Sequence, residues 1–206
     1  MKKITHILGA VAIGAVTVGC TSSQLQSGFP SADEVVKSSW QNVPDNMKGR
    51  LVQDETQKIC SAGRDNPSRE TVTRAEALAK AVPVVLPKNG NMMGDWVKGE
   101  ASAQSGFGQR VGDSTTRPNG GNCYACHQIT KKELSYGTLG PSLLGYGKLR
   151  GNSPEIIKYT YEKIYNPNIY LGCSGMARFG HNGILTPEQI ADVVALLLDP
   201  KSPVNQ

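Results

Sequence analysis

Near the C-terminus, Ile190, Val193, Val194, Leu197 and Leu198 recur three and four positions apart, which puts them on one face of a helix. The run opens on Thr186-Pro187-Glu188-Gln189: an N-cap, a proline at the first helical position and a glutamine at the capping-box position. Pro200 ends it. A second helix is predicted over Ser153–Tyr165, where Ser153 caps, Pro154 and Glu155 open the first turn, and Ile156, Ile157, Tyr161 and Ile164 approximate one face. Earlier in the chain, Ser31–Gln41 and Pro67–Val82 read as shorter helices, the latter stopped by Pro83 and Pro87. Asp95–Val111 is weakly helical despite its glycines, and Gly112–Asn122 is a polar, glycine-rich loop. No alternating run long enough for a sheet is present, and no internal repeat. The pattern predicts an all-α fold.

Composition explains how those helices are joined. Twenty-three glycines and twelve prolines in 206 residues favour long loops between short helices. Apolar residues make up 38% of the chain and aromatic ones 6%, so the core is not built on aromatic mass. The first nineteen residues stand outside the fold: Lys2 and Lys3 precede an apolar stretch from Ile7 to Val18, in the order of an export signal. That stretch is shorter than the roughly 20 residues a bilayer span needs. It runs into Thr17-Val18-Gly19-Cys20, which resembles the lipobox of bacterial lipoproteins, although Thr17 stands where a leucine is usual. The resemblance implies acylation of Cys20 and a protein held at a membrane face in the periplasm; cleavage by an ordinary signal peptidase is the alternative. The stretch Thr21–Pro30 then reads as a linker. Three regions are expected: a leader (1–19), a linker and partly helical extension (20–94), and a principal domain (95–206). The formal charge is +5, or +3 without Lys2 and Lys3, and no long basic run occurs, which gives no nucleic-acid footprint.

The chemistry lies in Cys123-Tyr124-Ala125-Cys126-His127. C-x-x-C-H is the covalent attachment motif of a c-type haem. Its two thiols meet the two vinyl groups on one porphyrin edge, and the adjacent imidazole ligates the iron. The motif occurs once, so one haem c is expected. A thiol–disulfide redox pair would want a βαβ context, which is missing. Zinc would want a second ligand pair, and beyond the leader and Cys20 only Cys60, Cys173 and His181 remain. After Cys126 the candidates for a second axial ligand are Met176 and His181. Met176 sits among small residues in Gly172-Cys173-Ser174-Gly175-Met176, shortly before the terminal helix. This is where small class I cytochromes c, which the arrangement resembles, carry their distal methionine. By the same resemblance, Gly140-Pro141-Ser142-Leu143 implies a hydrogen bond from His127 to the Pro141 carbonyl. Cys60 and Cys173 are the thiols left over, and in an exported protein such a pair favours a disulfide; a reactive Cys173 is the alternative.

Two longer stretches narrow the resemblance: Gly121-Asn122-Cys123-Tyr124-Ala125-Cys126-His127, and Met176-Ala177-Arg178-Phe179-Gly180-His181-Asn182-Gly183, with Gln189-Ile190-Ala191-Asp192 beyond. Together they resemble the SoxX family, the monohaem cytochrome subunit of the SoxAX complex of thiosulfate-oxidising bacteria. The likeness covers about Asp95 to Pro200. It implies a class I cytochrome c-like helical domain around one haem, with thioether anchors at Cys123 and Cys126 and axial ligands at His127 and Met176. It also implies a SoxA-type cytochrome partner, indirect contact with the carrier protein of the Sox system, and a downstream electron acceptor. In this reading the chain catalyses nothing alone, and accepts electrons while its partner conjugates thiosulfate to a carrier cysteine. A stand-alone lipid-anchored carrier supplying a terminal oxidase, and a haem enzyme or sensor with an open iron site, are the other readings.

Overall fold

The computed structural model describes residues 30–63, 66–114 and 116–206, so the leader, Cys20 and the linker as far as residue 29 lie outside it. Every regular element among the described residues is helical, as the periodicity predicts. None of the described helices is long and apolar enough to cross a membrane. Of the described residues, 30–41 form one unit, in which α1 (Ala32–Ser39) is closed by a capping box between Ser31 and Glu34. Residues 42–206 form the second.

In that second unit α2 (Asp45–Lys48) leads to α3 (Glu55–Gly63) and α4 (Arg69–Lys80). Then come α5 (Trp96–Gln104), α6 (Tyr146–Arg150), α7 (Pro154–Tyr165) and α8 (Pro187–Leu198). The caps expected at Ser153 and Thr186 form, the latter as a full capping box with Gln189, and Ser68 caps α4. Helix α5 stops at Gln104, short of the expected Val111. Ser105 turns extended (φ −67°, ψ 123°) and ends it, and Gly108 and Gln109 beyond take positive φ (99° and 69°), where a right-handed helix cannot resume. Periodicity also misses α2, α3 and α6, none of which has a buried residue to mark a face among those described.

The core forms around α8, in which Ile190, Ala191 and Val193–Leu198 are all buried. Helix α5 lies against it at very short range. The Gly94 amide donates to the Ala191 carbonyl (2.9 Å), and the Asp95 amide to the Asp192 carboxylate (2.8 Å). At Gly99 the α5 backbone comes so near the Asp192 carbonyl that a Cβ would overlap it. On the other side α7 contributes Tyr161, whose hydroxyl donates to Val85 O (2.8 Å) and pins the proline-rich segment before α5. The C-terminus closes the far end. Asn205 donates to Leu197 O (3.0 Å) and Asp199 O (2.9 Å), satisfying carbonyls the helix leaves open, and accepts from the Gly147 amide of α6 (2.9 Å).

Gly99→Ala is therefore expected to destabilise the protein by about 2 kcal/mol, as an overpacked helix contact does. Chemical denaturation with circular dichroism would measure it, and an unchanged midpoint would mean that α5 can move off α8 freely.

Candidate functional site

The chain enters Cys123–His127 through a series of backbone bonds to the end of α5. Gly120, Gly121 and Asn122 donate to Phe107 O (2.8 Å), Ser102 O (2.8 Å) and Ser105 O (2.9 Å). Asn122 takes the left-handed conformation (φ 46°) and opens a single 3₁₀ turn over Cys123–Ala125. The His127 amide then donates to Cys123 O (2.9 Å), which brings thiol and imidazole round the same turn. Cys123 and Cys126 are unbridged. Burial pushes the Cys123 thiol up to about 12, with the neighbouring Cys126 adding in the same direction, so this sulfur is a neutral thiol at physiological pH.

The loop after the motif folds back onto it. The Gly137 and Gly140 amides donate to Tyr124 O and Cys126 O (both 2.9 Å), and neither glycine has room for a Cβ. A methyl at Gly137 would strike the Ala125 carbonyl, and one at Gly140 the His127 ring. Beyond Gly140, the Pro141 carbonyl lies 2.8 Å from His127 Nδ1. A carbonyl only accepts, so Nδ1 carries the proton and, in the neutral imidazole, Nε2 keeps its lone pair for a metal.

Met176 is half-buried and packs on the same core cluster as Cys123, Phe179 and Leu143. Near Gly121 the Cys123 sulfur, Leu185 Cδ1 and Phe179 Cε1 converge, which brings the motif to the segment that follows Met176. Asn119 reinforces that approach: its side chain donates to Ile184 O (3.1 Å), and its carbonyl accepts from Gln189 of α8 (2.8 Å). Cys60 of α3 and Cys173 form a disulfide, across 113 residues of sequence. His181, the other axial candidate, faces Asp54 and Arg178, with Nε2 3.9 Å from the Asp54 carboxylate. Burial and the Arg178 charge hold its imidazole below its ordinary value of 6.5 against the pull of Asp54. At neutral pH the ring is uncharged, and this approach is not an ion pair.

Two participants carried no assignment in the sequence. Asp54 caps α3 through Oδ1, which accepts from the Gln57 amide (2.8 Å), while Oδ2 takes the Arg178 guanidinium (2.6 Å). The Arg178 side chain is only 9% exposed. Burial raises the Asp54 carboxyl, but the Gln57 amide and Arg178 outweigh it, and the net shift is downward from 3.8. The readable signal was Asp54-x-x-Gln57, a capping-box spacing, completed by the Asp54 amide donating to Gln57 Oε1 (3.0 Å). The Tyr124 hydroxyl is buried and closes no hydrogen bond, although Thr130 and Gln104 face it.

No known protein-family profile matches the chain. It is 37% identical to an uncharacterized lipoprotein of Aquifex aeolicus (strain VF5), over 97% of this chain and 98% of that protein. The chain belongs to that lipoprotein's family. That relative is a lipoprotein, the class of protein that the leader and Cys20 lead one to expect here.

Since the folded imidazole of His181 titrates below 6.5, the unfolded chain takes up the proton first on acidification. Stability from this residue is complete above pH 6.5 and is lost as pH falls through the lower folded value. Asp54 repeats the pattern below 3.8. Urea midpoints should fall as pH drops below 6.5, and His181→Gln should flatten that slope. A slope identical in the variant would assign the effect elsewhere.

Proposed function

We propose that this chain is a monohaem c-type cytochrome that accepts electrons within a SoxAX-type thiosulfate-oxidising complex. The observation that carries the proposal is the hydrogen bond from His127 Nδ1 to Pro141 O, next to two unbridged thiols. It fixes the tautomer, leaves Nε2 as a metal ligand and makes the ring electron-rich. The missing Cβ at Gly140 leaves space against the ring. Cys60 and Cys173 are consumed in the disulfide, so among the described residues Cys123 and Cys126 are left as a single pair, which suits two vinyl groups and is half of what a structural zinc site needs.

In this reading Cys123 and Cys126 hold one haem c through thioethers, and His127 and Met176 are its axial ligands. The haem supplies one-electron iron chemistry, and the protein tunes its potential through ligand identity and burial. Met176 provides a neutral, soft sulfur that favours the reduced state, and Pro141 fixes the histidine. The partners are a SoxA-type cytochrome, through it the carrier protein of the Sox system, and a downstream acceptor. Membership of a lipoprotein family also favours a second reading, a stand-alone periplasmic carrier tethered through Cys20 that feeds a terminal oxidase.

The protein matured in a host that attaches haem c should keep its haem through a denaturing gel. Cys123→Ala with Cys126→Ala should abolish that covalent haem. Met176→Ala should keep it, lose the Met-to-iron charge-transfer absorption of the oxidised form, lower the potential and bind cyanide quickly. A potential unchanged in Met176→Ala would move the ligand to His181 or elsewhere. Native purification separates the two readings: a stoichiometric haem-bearing companion supports the complex, and a lone monomer supports the tethered carrier.

A further inference from the structure

Residues 54–76 lie outside the stretch that resembles the SoxX family, yet they bond to the Met176 segment at three places. Three residues before Met176, Cys173 is joined to Cys60 of α3. Two residues after it, the buried Arg178 guanidinium is held by Asp54, the cap of the same helix, at 2.6 Å. Just upstream, Gly172 lies against the Val72 carbonyl of α4 with no room for a Cβ, and its amide points to Glu76 Oε1 (3.4 Å). Met176 is thus bracketed by a covalent and an ionic tie, and both come from one short stretch of chain.

Packing by α3 does not explain its ties to this segment. Helix α3 buries no residue. Between it and the Met176 segment lies a cavity of about 230 Å³, lined by Thr56, Gln57, Cys60, Cys173, Met176 and Arg178 among others. An interface with an open cavity and no buried apolar side chain from α3 contributes little dispersion or hydrophobic energy. No helix spans Met176, and its amide is held by the Ser174 hydroxyl alone (3.3 Å); the flanks bond back to the domain, Ser174 to Asn168 (3.0 Å) and Gly180 and His181 to Tyr165 O (both 3.1 Å). Between those flanks, the ties from Cys60 and Asp54 anchor Cys173 and Arg178, three residues before Met176 and two after it.

We propose that residues 54–76 form a latch on the Met176 segment, in which Cys60 and Asp54 are positioning residues that hold the thioether at its ligating distance. The proposal rests on the reading of Met176 as an axial ligand. The latch acts on the ligand's reach and not on haem attachment, which belongs to the far side of the site at Cys123 and Cys126.

The test uses the full-length holoprotein and three variants: Cys60→Ser with Cys173→Ser, Asp54→Asn, and Asp54→Glu as the conservative rescue. Readouts are the Met-to-iron charge-transfer absorption, cyanide binding rate, and amide hydrogen exchange of residues 172–183. The double serine variant should keep covalent haem, lose most of that absorption and bind cyanide about tenfold faster, with exchange in the segment rising by a similar factor. Asp54→Asn should move the same readouts in the same direction by a smaller factor, and Asp54→Glu should restore them. If the double variant does not accumulate folded, Asp54→Asn, with its disulfide intact, decides alone. Normal absorption in the wild type together with unchanged absorption, cyanide rate and exchange in the variants overturns the latch and leaves Met176 ligation standing. Absence of the absorption in the wild type itself overturns Met176 ligation, and the latch with it.

Discussion

Helix α5 and helix α8 touch backbone to backbone, and Asp192 is the residue through which they do so. Its carboxylate accepts the Asp95 amide, its carbonyl faces Gly99, and the carbonyl one residue earlier accepts the Gly94 amide. Such an approach is open only to residues without a Cβ, and it leaves no slack for the helices to slide. With α8 buried through Ile190–Leu198, the register of α5 on α8 becomes the reference frame for the rest of the second unit.

The motif inherits its position from that frame. Gly121 and Asn122 bond to Ser102 and Ser105 at the end of α5, so the start of the Cys123 turn is tied to that helix. Gln189, in the first turn of α8, holds the preceding loop at Asn119. Two helices therefore fix the stretch before the first thiol, and the loop that follows the motif fixes the imidazole. A site built this way does not depend on apolar mass of its own. That suits a chain with 6% aromatic residues, in which a bound prosthetic group would supply much of the missing core volume.

What the sequence made legible follows from what each feature depends on. Helix α8 has both a strict apolar period and a capping box, and it is found where the pattern puts it. Helix α4 was readable from its proline stop, and α7 from its Ser153 cap, Pro154 at the first position and its apolar face. Helix α3 was not, because its order comes from a disulfide, a cap and one exposed ion pair with α4, and none of these produces periodicity. The Cys60–Cys173 pairing was readable by elimination, since compartment and count left two thiols. The Asp54–Arg178 pair was not, because an acid and a base 124 positions apart carry no local mark. Cys20 and the linker lie outside the described residues, and there the family relationship to a lipoprotein speaks only to the class of protein.

The two sides of the proposed haem are supported by different physics. On the His127 side, a short loop, two close-approach glycines and one carbonyl hold the ring from within some twenty residues of chain. Loop closure over that length costs little entropy, so local sequence suffices. On the Met176 side no helix spans the residue, and bonds from Ser174, Gly180 and His181 to Asn168 and Tyr165 order the flanks on either side of it. A thioether offers no hydrogen-bonding handle by which a neighbour could aim it, unlike an imidazole. Its direction must come from the backbone on either side, where Cys173 and Arg178 are the anchored positions. In the proposed reading the stretch around α3 and α4 is not an appendage to a haem domain but the part that would complete its second face.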